Sequence, residues 1–95
     1  MNTEAPLRWY CLRARLKREH FAALQLAERT GVETFAPRLA IRRPRVTGGV
    51  VVATEALFPG YLFARFRLPN DSRFVLSTPD VTGLVHFGDH TPAVP

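Results

Sequence analysis

Leu57 to Leu68 reads LFPGYLFARFRL, the most apolar and most aromatic run in the chain. Pro59-Gly60 interrupts it early. Beyond that break Tyr61, Phe63 and Arg65 alternate with Leu62, Ala64 and Phe66, the period-two pattern of a β-strand. A small two-layer domain has one main core, which absorbs one face of such a strand fully. The other face, carrying Tyr61 and Phe63 beside Phe58, needs either a covering helix or another protein. Which of the two covers it decides what the protein does.

Upstream, Leu7 to Leu16 (LRWYCLRARL) is apolar on both faces of its first half, which suits a central strand covered on both sides. Glu19 to Arg29 (EHFAALQLAER) spaces Phe21, Leu24 and Ala27, with Ala23 and Leu26 beside them, as the core stripe of a helix ending near Gly31. Val32 to Arg43 alternates again as a second strand, broken or bent by Pro37. Within Pro44 to Ala53, Gly48-Gly49 is the turn of a hairpin joining Arg45-Val46 to Val50-Val51-Val52.

Downstream, Asn70-Asp71-Ser72 is a helix start, giving a short helix from Asp71 to Leu76. Thr78-Pro79-Asp80 is a loop, Val81 to Phe87 a last strand around Gly83, and Gly88 to Pro95 irregular, with the Pro-rich look of a linker at its end. The order strand, helix, strand, hairpin extension, strand, helix, strand predicts an α+β fold: an antiparallel-rich sheet with helices packed on it.

A chain of 95 residues makes one domain, and 46% hydrophobic with 22% charged residues is a globular rather than a disordered composition. No run approaches a membrane span, and Met1-Asn2-Thr3-Glu4 lacks the basic-then-apolar order of a signal peptide, so a cytoplasmic protein is expected. Cys11 is the lone cysteine, which excludes an internal disulfide and a Cys-rich zinc site. Mid-strand, with no helix N-terminus to lower its pKa, it reads as an inert thiol. His86, Asp89 and His90 lie within five residues, but Gly88 and the flanking strand argue against the helix that would bring them onto a metal. Nucleophile-elbow, Walker and dinucleotide motifs are absent. No catalytic residue, metal or cofactor is expected.

Charge points elsewhere. Thirteen Lys and Arg against eight Asp and Glu leave +5, and every cation but Lys17 is an arginine, the residue whose fork matches phosphate oxygens. Arg13, Arg15, Lys17, Arg18 and His20 gather where the first strand meets the helix, and Arg38, Arg42, Arg43 and Arg45 lie along the second strand and hairpin arm. Cations at a helix start oppose the helix dipole and add nothing to stability, so they suggest a polyanionic partner rather than a solvated rim.

Several stretches together make the chain similar to a known family. Trp9-Tyr10 opens the first strand, Lys17-Arg18-Glu19 precedes the helix, and Gly31-Val32-Glu33-Thr34-Phe35-Ala36-Pro37 leads into the second strand. Leu57-Phe58-Pro59-Gly60-Tyr61-Leu62-Phe63 and, downstream, Pro79-Asp80-Val81-Thr82-Gly83 complete the set. In this order they resemble the N-terminal (NGN) domain of the NusG family of transcription elongation and antitermination factors, RfaH-like paralogues among them, over residues 7–95.

The resemblance implies a four-stranded sheet flanked by helices, with a β-hairpin extension at Arg42–Ala53, in a non-enzymatic, monomeric factor that binds RNA polymerase, bridges its DNA cleft and suppresses pausing. It implies that the clamp helices of the largest polymerase subunit dock on Phe58, Pro59, Tyr61, Phe63 and Phe87. Asp71, Ser72 and Arg73 fall where relatives touch the gate loop of the second-largest subunit, although the His-Thr-Thr motif of RfaH is not present. Arg13, Arg15, Lys17, Arg18, His20, Arg42 and Arg43 would face upstream or non-template DNA. Such proteins carry a C-terminal KOW domain after a linker, and that domain is absent from this chain, which stops at Pro95. The alternative, from the residues alone, is a free-standing ferredoxin-like module that binds RNA or DNA with its sheet aromatics and arginines.

Overall fold

A computed structural model describes residues 5–95; Met1 to Glu4, read above against a signal peptide, lie outside the described residues. Along the chain come β1 (Leu7–Ala14), α1 (Glu19–Thr30), β2 (Glu33–Phe35), β3 (Arg38–Pro44) and β4 (Val50–Ala56). They are followed by β5 (Tyr61–Arg67), α2 (Ser72–Leu76), β6 (Val81–Leu84) and β7 (Ala93–Val94). β1 and β5 pair antiparallel, with Tyr10 opposite Ala64 and Leu12 opposite Leu62. β2 flanks β5 and β6 flanks β1, giving the order β2-β5-β1-β6, all antiparallel. With the β3–β4 hairpin set aside, strand-helix-strand-strand-helix-strand in this order is a split βαβ arrangement. The fold is α+β, as expected.

The core lies on one face of the sheet. Tyr10, Leu12 and Ala14 of β1 and Leu62, Ala64 and Phe66 of β5 point to it, and Ala22 and Leu26 of α1 and Val75 of α2 cover it. Leu12, Leu26, Leu62, Phe66 and Val75 are fully buried, each contributing roughly 1.5–3 kcal/mol. The Tyr10 and Phe66 rings meet at 5.0 Å. Both helices lie on this side.

Several expectations are corrected. β1 is central but covered on one face only: Cys11 is half-buried and Arg13 exposed. Helix α1 buries Ala23 and Leu26, as expected, together with Glu19 and Ala22, while Phe21 and Leu24, also expected inside, stand about half exposed. The sheet already supplies the bulk of Tyr10, Leu12 and Phe66, so the helix face that fits against it is the small one. Of the two effects expected of Pro37, the break is the one found, since β2 and β3 belong to different sheets. The last strand stops at Leu84 rather than Phe87. The irregular tail returns as β7, pairing Trp9 with Val94 and Tyr10 with Ala93.

The hairpin is longer than its turn signal implied. Seven residue pairs run from Arg38 opposite Ala56 to Pro44 opposite Val50, and Leu57 N–H donates to Pro37 O at 2.9 Å at its base. Gly48 and Gly49, at φ +97° and +80°, let Arg45–Gly49 close the tip. No residue of β3 or β4 is buried, and the long axis of the molecule reaches 65 Å. Replacing residues 43–51 by Asn-Gly, which keeps the Arg42–Val52 pair as the last rung, should therefore change unfolding free energy by less than about 1 kcal/mol in a urea titration.

Candidate polymerase and nucleic-acid interface

Phe58-Pro59-Gly60-Tyr61 is a type II β-turn. Tyr61 N–H donates to Phe58 O at 3.0 Å, Pro59 presets the second position, and Gly60 supplies φ +83° at the third. Two further bonds pin Gly60: its N–H donates to Glu19 Oε2 at 2.7 Å, and its carbonyl accepts from Ala14 N–H at 2.8 Å. Glu19 stands in the first turn of α1 with only 4% of its surface exposed, where the helix dipole favours its negative charge. The turn thereby launches β5 beside β1 with its odd-numbered residues facing away from both helices.

That outward face is aromatic. Phe58 packs edge-on against Phe63 at 5.4 Å, and Phe63 meets Phe35 of β2 at 6.3 Å. Register places Tyr61 opposite Arg13, Phe63 opposite Cys11 and Arg65 opposite the half-buried Trp9. Tyr61 is 40% exposed, and no element among the described residues covers this side. Cys11 sits within it, and its burial pushes the thiol pKa up, partly opposed by the Arg13 charge. Phe87 is set apart: it is exposed in the turn that pairs it with His90, and the ring contacts Phe58–Phe63–Phe35 do not reach it.

At α2, Asp71 and Ser72 are engaged within the fold. Asp71 Oδ2 accepts from Arg67 N–H at 3.0 Å and Ser72 Oγ donates to Pro69 O at 2.9 Å, while Arg73 is exposed. The strand-to-helix cations are organised by a residue the sequence did not single out. Asp80 Oδ2 accepts from Arg18 Nε at 3.2 Å and Gln25 Nε2 at 3.3 Å, and Arg15 Nε lies 4.0 Å from Oδ1. Arg15 N–H also donates to Asp80 O at 2.9 Å. Lys17 (φ +66°) and Asp80 (φ +68°) both adopt the left-handed conformation, at about 1–2 kcal/mol each for such residues. Arg43 pairs with Glu55 across the hairpin; Arg42 and Lys17 have no ion-pair partner among the described residues.

Phe21, like Leu24, is a residue that hydrophobicity misassigned. Its ring carries the Arg18 guanidinium 4.6 Å above its centre and His20 6.2 Å away, edge-on. A groove of about 540 Å³ separates the start of α1 from the hairpin base, with Lys17, His20 and Phe21 on one wall and Arg38, Phe58 and Tyr61 on the others. Lys17, His20 and Arg38 thus adjoin the aromatic face. The signals for Glu19 and Asp80 were present but generic: an acid in a helix's first turn, and an aspartate ending a Thr-Pro-Asp loop.

Two comparisons bear on this surface. Residues 7–95 match a family model described as NusG, transcription termination factor nusG. No curated protein matches the chain.

Two substitutions test the local geometry in thermal or urea unfolding. Glu19→Ala should cost about 1.5–3 kcal/mol, the range for a hydrogen bond to a charged group that leaves its partner unpaired. Lys17→Gly should instead stabilise, by up to about 1 kcal/mol, because glycine adopts this turn position without steric cost.

Proposed function

The chain belongs to the NusG family of transcription factors, as an N-terminal NusG-type domain, and on that premise we propose that it binds RNA polymerase through its uncovered aromatic sheet face and suppresses pausing. Members of this family act with RNA polymerase and are not enzymes. One observation carries the finer reading: both helices cover one side of the sheet, leaving Tyr61, Phe63, Phe58 and Phe35 as an apolar surface on the other. Continuous aromatic surfaces of this kind supply the buried anchors of protein interfaces. The partner is the pair of clamp helices of the largest subunit, with Pro59 holding the turn beside Phe58 and the exposed Phe87 offering a separate apolar contact. Of the three residues at α2, Arg73 is the one whose side chain is at liberty to reach the gate loop.

Docked there, the domain would span the DNA cleft with its cations toward upstream or non-template DNA. Lys17, Arg38 and Arg42, without an ion-pair partner among the described residues, offer their charge to phosphates, Arg13 lies beside the aromatic face, and His20 lines the groove. Arg15 and Arg18 share Asp80, so with Lys17 this cluster carries a net of two positive charges.

The test is capture of core RNA polymerase by the domain. Tyr61→Ala should weaken it by about 2 kcal/mol or more, roughly thirtyfold, with circular dichroism unchanged. Undiminished capture by that variant would sink the docking face. In DNA binding, a net of two charges predicts a log–log salt slope of about −1.8, so that a fourfold rise in salt costs about twelvefold in affinity. Polymerase capture, resting on apolar contacts, should change far less. A slope left intact by changing Arg15, Lys17 and Arg18 together to Ala would mean the cluster is a solvated rim.

A further inference from the structure

Hydrogen bonds at the two ends of the hairpin fix which backbone groups of β4 face inward. Arg45 N–H donates to Gly49 O at the tip, and Leu57 N–H to Pro37 O at the base. Antiparallel pairs alternate between bonded and non-bonded, so the odd-numbered residues of β4 are the ones that bond to β3. The N–H and C=O of Val50, Val52 and Thr54 therefore point to the open edge, where no further strand pairs among the described residues.

The two edges of this hairpin are not alike. β3 carries Arg38, Arg42, Arg43 and Pro44, the charges and proline that keep a free edge from pairing. From Val50 to Thr54, β4 has neither. Val-Val-Val-Ala-Thr is uncharged, rich in β-branched residues and free of proline and glycine, the composition of a strand that recruits another. Val50 and Val52 are more than half exposed. A two-stranded ribbon is marginal alone, and here none of its residues is buried, so further strands would steady it.

Strand β4 fits a second copy of itself. Antiparallel pairing about a two-fold axis at Val52 sets Val52 against Val52 and Val50 against Thr54, each through its outward backbone groups. In the same register Val51 meets Ala53, joining Ile41, Val51 and Ala53 of both hairpins into one apolar strip. Glu55 falls level with Gly49 of the other copy. Glycine has no side chain to intervene, so that copy's Arg45, bonded across from Gly49, can reach the carboxylate. Arg45 has no ion-pair partner among the described residues. Backbone, apolar and charged groups are thus all self-complementary in one register.

We propose that this chain self-associates through the β4 edges of its hairpins, forming a two-fold, four-stranded sheet centred on Val52. The inference is independent of the polymerase reading, and it makes the expected monomer the dilute form.

Sedimentation equilibrium over a concentration series provides the test. The apparent mass should rise from that of one chain toward twice that value, with half-association on the order of 100 µM, the weak regime of so small an interface. Val52→Pro removes an outward N–H and no bond within the hairpin, so it should hold the chain monomeric throughout. Ala40→Pro makes the same change on the β3 edge and should leave association unchanged. In a Cys11→Ala background, Val52→Cys should form an intermolecular disulfide under mild oxidation, because bonded antiparallel pairs set their Cα atoms about 5.5 Å apart. Ala40→Cys in that background should not. The mass of one chain at every concentration, association that survives Val52→Pro, or an equal loss in Ala40→Pro would each overturn the proposal. Association lost in Tyr61→Ala but kept in Val52→Pro would move the contact to the aromatic sheet face and overturn it as well. Should Val52→Pro disturb the hairpin itself, cross-linking through Val52→Cys still decides.

Discussion

The hydrogen bond from Gly60 N–H to the Glu19 carboxylate, 2.7 Å long and closed off from water, is the constraint on which the arrangement turns. A carboxylate so deeply buried must have a partner, and the first turn of a helix is where its charge is best tolerated. Satisfying it fixes two things together. The Phe58–Tyr61 turn is clamped to the start of α1, and the rotation of α1 about its axis is set with position 19 facing the sheet. Ala22, Ala23 and Leu26 then fall inward at helical spacing, and Phe21 and Leu24 must face outward. The exposed ring beneath Arg18 follows from that rotational setting.

Features governed by chemistry within a few residues were legible in the sequence. Pro59-Gly60 specifies a type II turn wherever it occurs between strands, Gly48-Gly49 specifies a hairpin tip, and the alternation of Leu62, Ala64 and Phe66 assigns a buried face. Helix phase was not legible, because hydrophobicity ranks Phe21 above Ala22 whereas packing against Leu12, Tyr10 and Phe66 demands the smaller residue. Nor was the pairing of Arg15 and Arg18 with Asp80, which joins residues more than sixty positions apart and leaves no local trace. β7 escaped notice for a third reason: two residues are too few to show a period, and only their pairing with Trp9 and Tyr10 defines them. Of the interface residues, the aromatics of the strand were visible early, while the side chains that position the cations appear only in three dimensions.

The two surfaces are continuous. The groove between α1 and the hairpin base has Phe58 and Tyr61 on one side and Lys17 and His20 on the other, so a protein docked on the aromatics lies next to whatever the cations hold. Apolar and charged contacts respond differently to salt, so on the proposed reading the domain would keep its grip on a protein while exchanging its hold on a strand of nucleic acid. Compactness of the sheet supports this: the helices on its far side take up the whole burden of the core and leave this side free for others.

The hairpin stands outside that economy, and parity governs what can be done with it. Its base is fixed by Pro37 and Leu57, and none of its residues belongs to the core, so its reach is a variable independent of the fold. Each added pair of residues extends the arm by about 3.3 Å. Two such pairs restore the original facing of Arg42 and Arg43, whereas a single pair carries every later side chain to the opposite face. Lengths differing by an even number of rungs therefore form one interchangeable series and odd steps a mirror-faced second one, so that an appendage with no part in stability is nonetheless quantised in how it can present its arginines.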